Sequence, residues 1–153
     1  MKRFIVATIL TAVIAGVLIH FMPRKFEAYL GCFGADASVA IYCRDTQLDA
    51  VDMGNGYKVE CSSADFTQTL AKCHSVDGLS VSFAASPDDV AKLVRFFNLQ
   101  VSSRYKENGL LVICGKSAKI ASGVTVGGET VNLQIAYKDG VVHLGSPLLL
   151  GDY

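Results

Sequence analysis

Residues 79–97 read LSVSFAASPDDVAKLVRFF, a strand that turns directly into a helix. Leu79, Val81 and Phe83 alternate with Ser80 and Ser82, the period of a strand with one apolar and one solvated face. Ser86-Pro87-Asp88-Asp89 then supplies an N-cap hydroxyl, a proline at the first helical position and two carboxylates against the positive end of the helix dipole. Val90, Leu93, Val94 and Phe97 follow at i, i+3, i+4 and i+7, an apolar stripe suited to packing on a sheet.

Upstream, Val39, Ile41 and Cys43 alternate with Ser38, Ala40 and Tyr42. Asn55-Gly56 predicts a two-residue hairpin turn, because both central residues must reach positive φ, and Tyr57, Val59 and Cys61 alternate behind it. Ser62 or Ser63 can cap a helix in which Phe66, Leu70 and Cys73 share one face, and Gly78 ends that unit. Downstream, residues 99–105, 110–114, 120–126, 131–137 and 141–144 are strand-like. Their turns fall at Glu107-Asn108-Gly109, Gly127-Gly128 and Asp139-Gly140. The order β-β-α-β-α followed by a meander predicts an α+β domain over residues 38–153, with two helices packed on one face of a largely antiparallel sheet.

Residues 4–22 read FIVATILTAVIAGVLIHFM, 19 residues without a formal charge behind Lys2 and Arg3. At about 1.5 Å rise per residue this makes a helix roughly 28 Å long, the thickness of a bilayer core, so one transmembrane helix is expected ahead of the domain. A cleaved signal peptide would have a shorter apolar run and a nearby small-x-small site. Here Pro23, Arg24 and Lys25 follow instead, and Ala35-Asp36-Ala37 lies well beyond. A retained anchor is the preferred reading, with secretion the consequence if the segment is cleaved. Residues 1–22 are then the anchor, 23–37 a juxtamembrane linker and 38–153 the globular domain.

The chain has 153 residues, 51% of them hydrophobic and 18% charged, with 14 basic and 14 acidic side chains. Its mean hydropathy of +0.37 traces to the N-terminal segment. Length bounds the rest to one modest domain. Beyond Ala37 the chain carries 10 basic and 12 acidic side chains, which favours neither nucleic acid nor an anionic membrane surface. Cys43, Cys61, Cys73 and Cys114 in that stretch suit an oxidising compartment, placing the domain outside the cytoplasm in a bacterial, single-pass arrangement.

Near the C-terminus, Val131-Asn132-Leu133-Gln134-Ile135-Ala136 leads into Leu144-Gly145-Ser146-Pro147-Leu148 and the final Asp152-Tyr153. This resembles the YwmB-like family of small, N-terminally anchored Gram-positive proteins, whose members tend to end in a similar strand, a Gly-Ser/Thr-Pro turn and an acidic-Tyr terminus. The resemblance covers roughly the last 25 residues and the general layout. It implies an extracytoplasmic α+β domain, sometimes likened in shape to the TATA-binding fold, with no established activity. Likeness of shape gives no reason to expect DNA binding. The several cysteines depart from the family pattern.

Catalytic and ligand motifs fail on their spacing. Gly115-Lys116-Ser117 looks like the end of a phosphate-binding loop, but Leu110 stands where that loop needs glycine, and residues 110–113 are a strand rather than a flexible wrap. Asp45, Asp49 and Asp52 form an acidic cluster, yet an EF-hand loop from Asp49 would put Val51 and Met53 at ligand positions. No close Cys or His pair has zinc spacing. Cys114 with His143 is the one thiol–base pair that sheet pairing could assemble, and alternation places Cys114 with Leu110 and Val112 on a packed face, opposite in sense to His143. No catalytic, cofactor-binding or metal residue is therefore assigned.

Two function classes remain. One is an anchored interaction or assembly module without catalytic activity, binding a protein or cell-envelope partner through sheet edges or the polar strand face. The other is a small cell-envelope hydrolase or thiol enzyme with a dispersed site. Five cysteines leave at least one unpaired in a monomer. Cys32, between anchor and first strand, is expected to be that one. A Cys43–Cys61 bridge across paired strands is possible, with buried free thiols the alternative.

Overall fold

The structure is a computed structural model that describes residues 23–34 and 36–149. The expected transmembrane segment, residues 4–22, lies outside the described residues. Among the described residues no helix is long and apolar enough to cross a membrane. A 3-10 helix (Phe26–Phe33) is followed by β1 (Ser38–Thr46), β2 (Val51–Asp52), β3 (Tyr57–Ser62), α1 (Phe66–Leu70), β4 (Cys73–Ala84) and α2 (Pro87–Phe96). Then come β5 (Leu99–Glu107), β6 (Leu110–Ser117), β7 (Val124–Val126), β8 (Glu129–Val131), β9 (Leu133–Lys138) and β10 (Val141–Ser146).

Eight strands make one sheet in the order β2-β3-β1-β4-β10-β9-β6-β5, and β7 pairs with β8 separately. Every ladder is antiparallel. The architecture is thus a mostly antiparallel sheet with few helices, an α+β arrangement. Alternation decides which face is covered. Val39 and Ile41 of β1, Val81 of β4, Leu133 and Ile135 of β9, and Val142 and Leu144 of β10 are fully buried in one apolar cluster. Phe66 of α1 and Val90 and Phe97 from α2 join the same cluster.

The helix start read from Ser86 is present. The Asp89 carboxylate accepts hydrogen bonds from the Ser86 N–H at 2.9 Å and the Ser86 hydroxyl at 2.7 Å. At the other end Asn98 takes the left-handed conformation at φ 47°, which releases the chain into β5.

The described residues of the expected juxtamembrane linker, 23–34 and 36–37, pack against the domain. Phe26 and Leu30 of the 3-10 helix and Ala37 are buried in the core, with the Phe26 ring 6.5 Å from that of Phe97. The same segment is stitched to the loop after β6. Arg24 donates its N–H to the Lys119 carbonyl and accepts from the Ala121 N–H, each at 2.8 Å, and the Tyr29 hydroxyl donates to the Lys119 carbonyl at 2.9 Å. The run FEAYLGCF is apolar on most sides, so no single stripe in it announced a buried face.

The helix expected through Cys73 stops at Leu70. Cys73 opens β4, pairing with Thr46 of β1, and Gly78 lies inside that strand opposite Tyr42. A short helix gains few hydrogen bonds for its nucleation cost, whereas residues from 73 onward extend a ladder already begun. The hairpin turn also shifts. Gly54 and Asn55 lie at its tip, closed by the Met53 N–H donating to the Gly56 carbonyl at 2.8 Å. The single strand expected over 131–137 is divided at Asn132 into β8 and β9.

Candidate functional site

The sheet has two unequal edges. One ends in the two-residue β2, and the other in the nine-residue β5, of which only Leu99 is buried. Among the described residues, the outward backbone groups of β5 thus form a row with no neighbouring strand, a template for an added one. α2 covers only part of the sheet beside this edge. Between them runs a groove of about 440 Å³ with Val94, Val101 and Leu111 as apolar lining and Arg95 and Arg104 at its walls. Val101 is 47% exposed. In the β5–β6 register Arg104 stands opposite Ile113 and Lys106 opposite Leu111, so both cations project on the groove side. The surface is apolar below and positive at its rim.

A second concentration of chemistry lies where β4 begins. The Cys73 sulfur donates toward the Thr69 carbonyl at 3.5 Å and lies 4.0 Å from Thr46 Oγ1. Burial, followed by the neighbouring Cys73, pushes the Cys43 thiol up to about 11. Burial likewise raises Cys61, which interacts electrostatically with Cys73. Cys73 also lines a cleft of about 490 Å³ that Lys25, Glu27, Asp77 and Ser146 help to wall. All five cysteines are free thiols and Cys32 is exposed.

The Cys43–Cys61 bridge is excluded by register. Cys43 faces Tyr57 and Cys61 faces Val39, four positions apart along β1 and β3. At about 3.3 Å per residue that is roughly 13 Å, far beyond a disulfide's reach.

Cys114 and His143 also need correcting. Ile113, not Cys114, is buried in the core from β6. Cys114 pairs with Gln134 while His143 pairs with Ala136, so the two share the face opposite the core, with β9 between them. His143 instead meets Ser82 across the β4–β10 ladder, Nδ1 to Oγ at 2.7 Å. Burial, and then the positive charge of Lys58, lowers the His143 pKa. These partners are 61 residues apart in sequence, and only the β4–β10 pairing joins them.

Gly115-Lys116-Ser117 serves the fold. A Cβ on Gly115 would lie 2.3 Å from the Gln100 carbonyl oxygen, where β5 bulges between Val101 and Ser103. The Ser117 hydroxyl donates to the Phe97 carbonyl at 2.6 Å and so ties the end of α2 to β6. In the acidic cluster, Asp45, Asp49 and Asp52 are all exposed. Asp52 accepts the Gly54 N–H at 2.7 Å within the hairpin turn. Among the described residues no three His, Cys, Asp or Glu side chains are grouped to hold a metal ion.

No protein-family model, curated protein or solved structure matches the chain. The open β5 edge was not visible in sequence, because edge position depends on the order of strands rather than on their composition.

Proposed function

We propose that the chain is a membrane-anchored interaction module, held by a transmembrane helix over residues 4–22 with its α+β domain outside the cytoplasm and without catalytic activity of its own. The reading takes it as a relative of the YwmB-like family on the C-terminal residues quoted above. The observation that carries the docking role is the nine-residue open edge of β5 beside a cationic, apolar-floored groove. The partner is a protein segment that adds as a strand to β5, with acidic side chains against Arg95, Arg104 and Lys106 and apolar ones toward Val101 and Leu111. Main-chain pairing supplies affinity and the groove supplies selection. The charge argument excludes neither partner protein nor anchor, but it gives no footing for nucleic acid, since acidic side chains outnumber basic ones beyond Ala37.

A small hydrolase using Ser82 and His143 is the competing reading. Their contact has the form of a nucleophile and its base, but neither the β5 groove nor the Cys73 cleft contains either residue. A reacting pair needs a concave pocket in which groups converge.

The test uses a labelled, end-blocked nine-residue peptide of alternating glutamate and valine, with an alternating lysine–valine peptide as control. Fluorescence anisotropy should show binding of the first only, lost in the Arg95→Glu, Arg104→Glu double variant. Equal binding of both peptides, or binding that survives the double variant, would overturn the proposal. Alkaline carbonate extraction checks the anchor separately: full-length protein should remain with the membrane pellet.

A further inference from the structure

Apart from Val101 and Tyr105 of β5, the large apolar side chains exposed among the described residues lie toward one end of the sheet, where β1, β6 and β10 finish. Phe96 closes α2 there, and Val124 and Val126 belong to the β7–β8 hairpin that follows β6. Lys119, in the loop between β6 and that hairpin, holds its ammonium 4.7 Å from the centre of the Phe96 ring. The hairpin and the end of α2 are thus joined through one loop.

The N-terminal segment is fastened to the same loop. Arg24 bridges to Ile120 and exchanges backbone hydrogen bonds with Lys119 and Ala121. Only Pro23 stands between Arg24 and Met22, the last residue of the apolar run. Two residues of extended chain reach about 7 Å. The polar layer on either side of a bilayer core is about 5–8 Å thick. With residues 4–22 across that core, Arg24 and the loop bonded to it are held at the headgroups.

We infer that this end of the domain seats on the lipid surface, with Phe96, Val124 and Val126 entering the interfacial layer of the membrane that the anchor spans. The inference rests on the reading of residues 4–22 as a transmembrane helix and adds an orientation to it. The apolar side chains leave water for the acyl boundary, while Lys25 and Lys119 keep their ammonium groups at the phosphates. Glu129, paired with Val126 across the hairpin, limits the depth, because a carboxylate is costly in hydrocarbon. The contact is apolar in origin and needs no anionic lipid, in keeping with the acidic surplus beyond Ala37. The open edge of β5 then runs away from the membrane, from Leu99 toward Glu107, where a partner strand can reach it.

The sequence contains no tryptophan, so each of three substitutions supplies a single reporter. Val126→Trp marks the hairpin, Phe96→Trp the end of α2, and Tyr105→Trp the opposite half of β5. Each full-length variant is reconstituted into phosphatidylcholine vesicles, with or without bromine on the acyl chains near the headgroup, and recovered by flotation. Val126→Trp and Phe96→Trp should lose more than half of their emission to the brominated lipid and emit at shorter wavelength, while Tyr105→Trp keeps its emission. Floated protein in which all three reporters respond alike would overturn the seat and leave the anchor standing, with this end of the sheet open to a protein partner. Protein that does not float with the vesicles would remove the anchor, and the seat with it. Should one of the two membrane-side variants not fold, the other carries the comparison with Tyr105→Trp.

Discussion

Asn132 clasps Ser117 with both ends of its side-chain amide: Oδ1 accepts the Ser117 N–H at 2.7 Å and Nδ2 donates to the Ser117 carbonyl at 2.8 Å. The same Nδ2 donates to the Ile120 carbonyl at 2.9 Å. Asn132 is 2% exposed and stands between β8 and β9, so its amide takes the place of a strand where β6 ends. Ile120 in turn bridges to Arg24, which makes this contact the junction between the C-terminal meander and the N-terminal segment.

Replacing Asn132 by alanine removes these partners from three backbone groups, each costly to leave unpaired inside the protein. Asn132→Ala should therefore lower stability by about 2–4 kcal/mol in urea titration. Asn132→Asp should not recover it, since a carboxylate cannot donate to the Ser117 and Ile120 carbonyls. A loss below about 0.5 kcal/mol in the alanine variant would show that water replaces the amide.

Periodicity made β1, β3 and α2 legible, because each has a run of alternating or stripe-forming apolar residues long enough to declare its buried face. It misled at Cys73. That residue reaches the core and touches Thr69 as a helical position would, yet it does so from the first position of β4. Strand order was the larger gap. Leu99–Glu107 reads as an ordinary strand, and nothing in its composition says that it ends the sheet. Ser82 and His143 meet only because β4 and β10, far apart along the chain, become neighbours in the sheet.

Asp89 gives the start of α2 a pH dependence. Hydrogen bonds from Lys92 and then Ser86 hold its carboxyl well below its ordinary value of 3.8. The folded state thus prefers the carboxylate, and the unfolded chain takes up the proton first on acidification. This stabilisation is complete above the unfolded value and is lost as pH falls below it. Asp89→Asn should melt lower than wild type at pH 7, and the gap should shrink steadily from about pH 4 downward. A gap that is constant from pH 7 to pH 2 would mean that the carboxylate does not hold the helix start.

His143 acts at a higher pH with the same sign. Burial, and then Lys58, lowers its folded pKa below the ordinary 6.5, so the fold favours the neutral ring that meets Ser82. The unfolded chain binds the proton more readily, and the stabilisation present above pH 6.5 drains away as pH falls through the folded value. Wild-type protein should lose melting temperature between pH 7 and pH 5, and His143→Gln should lose less over the same range. Parallel losses in the two proteins would place the sensitive group elsewhere.

The domain's N-terminal limit can be tested by truncation. A boundary at Ser38, where the first strand begins, would discard Phe26, Leu30 and Ala37 from the core, along with the Arg24 and Tyr29 hydrogen bonds to the loop after β6. Residues 23–153 should therefore give a cooperative thermal transition, while residues 38–153 should give none or one far lower. Within the full chain, Phe26→Ala removes a ring packed near Phe97 and should cost about 3–5 kcal/mol, the usual loss for emptying a buried aromatic site. Ala28→Ser, on an exposed position of the same helix, controls for damage to the helix itself and should change stability by no more than about 0.5 kcal/mol. If residues 38–153 melt at the temperature of residues 23–153, the 3-10 helix only rests on the domain, and the linker reading is restored.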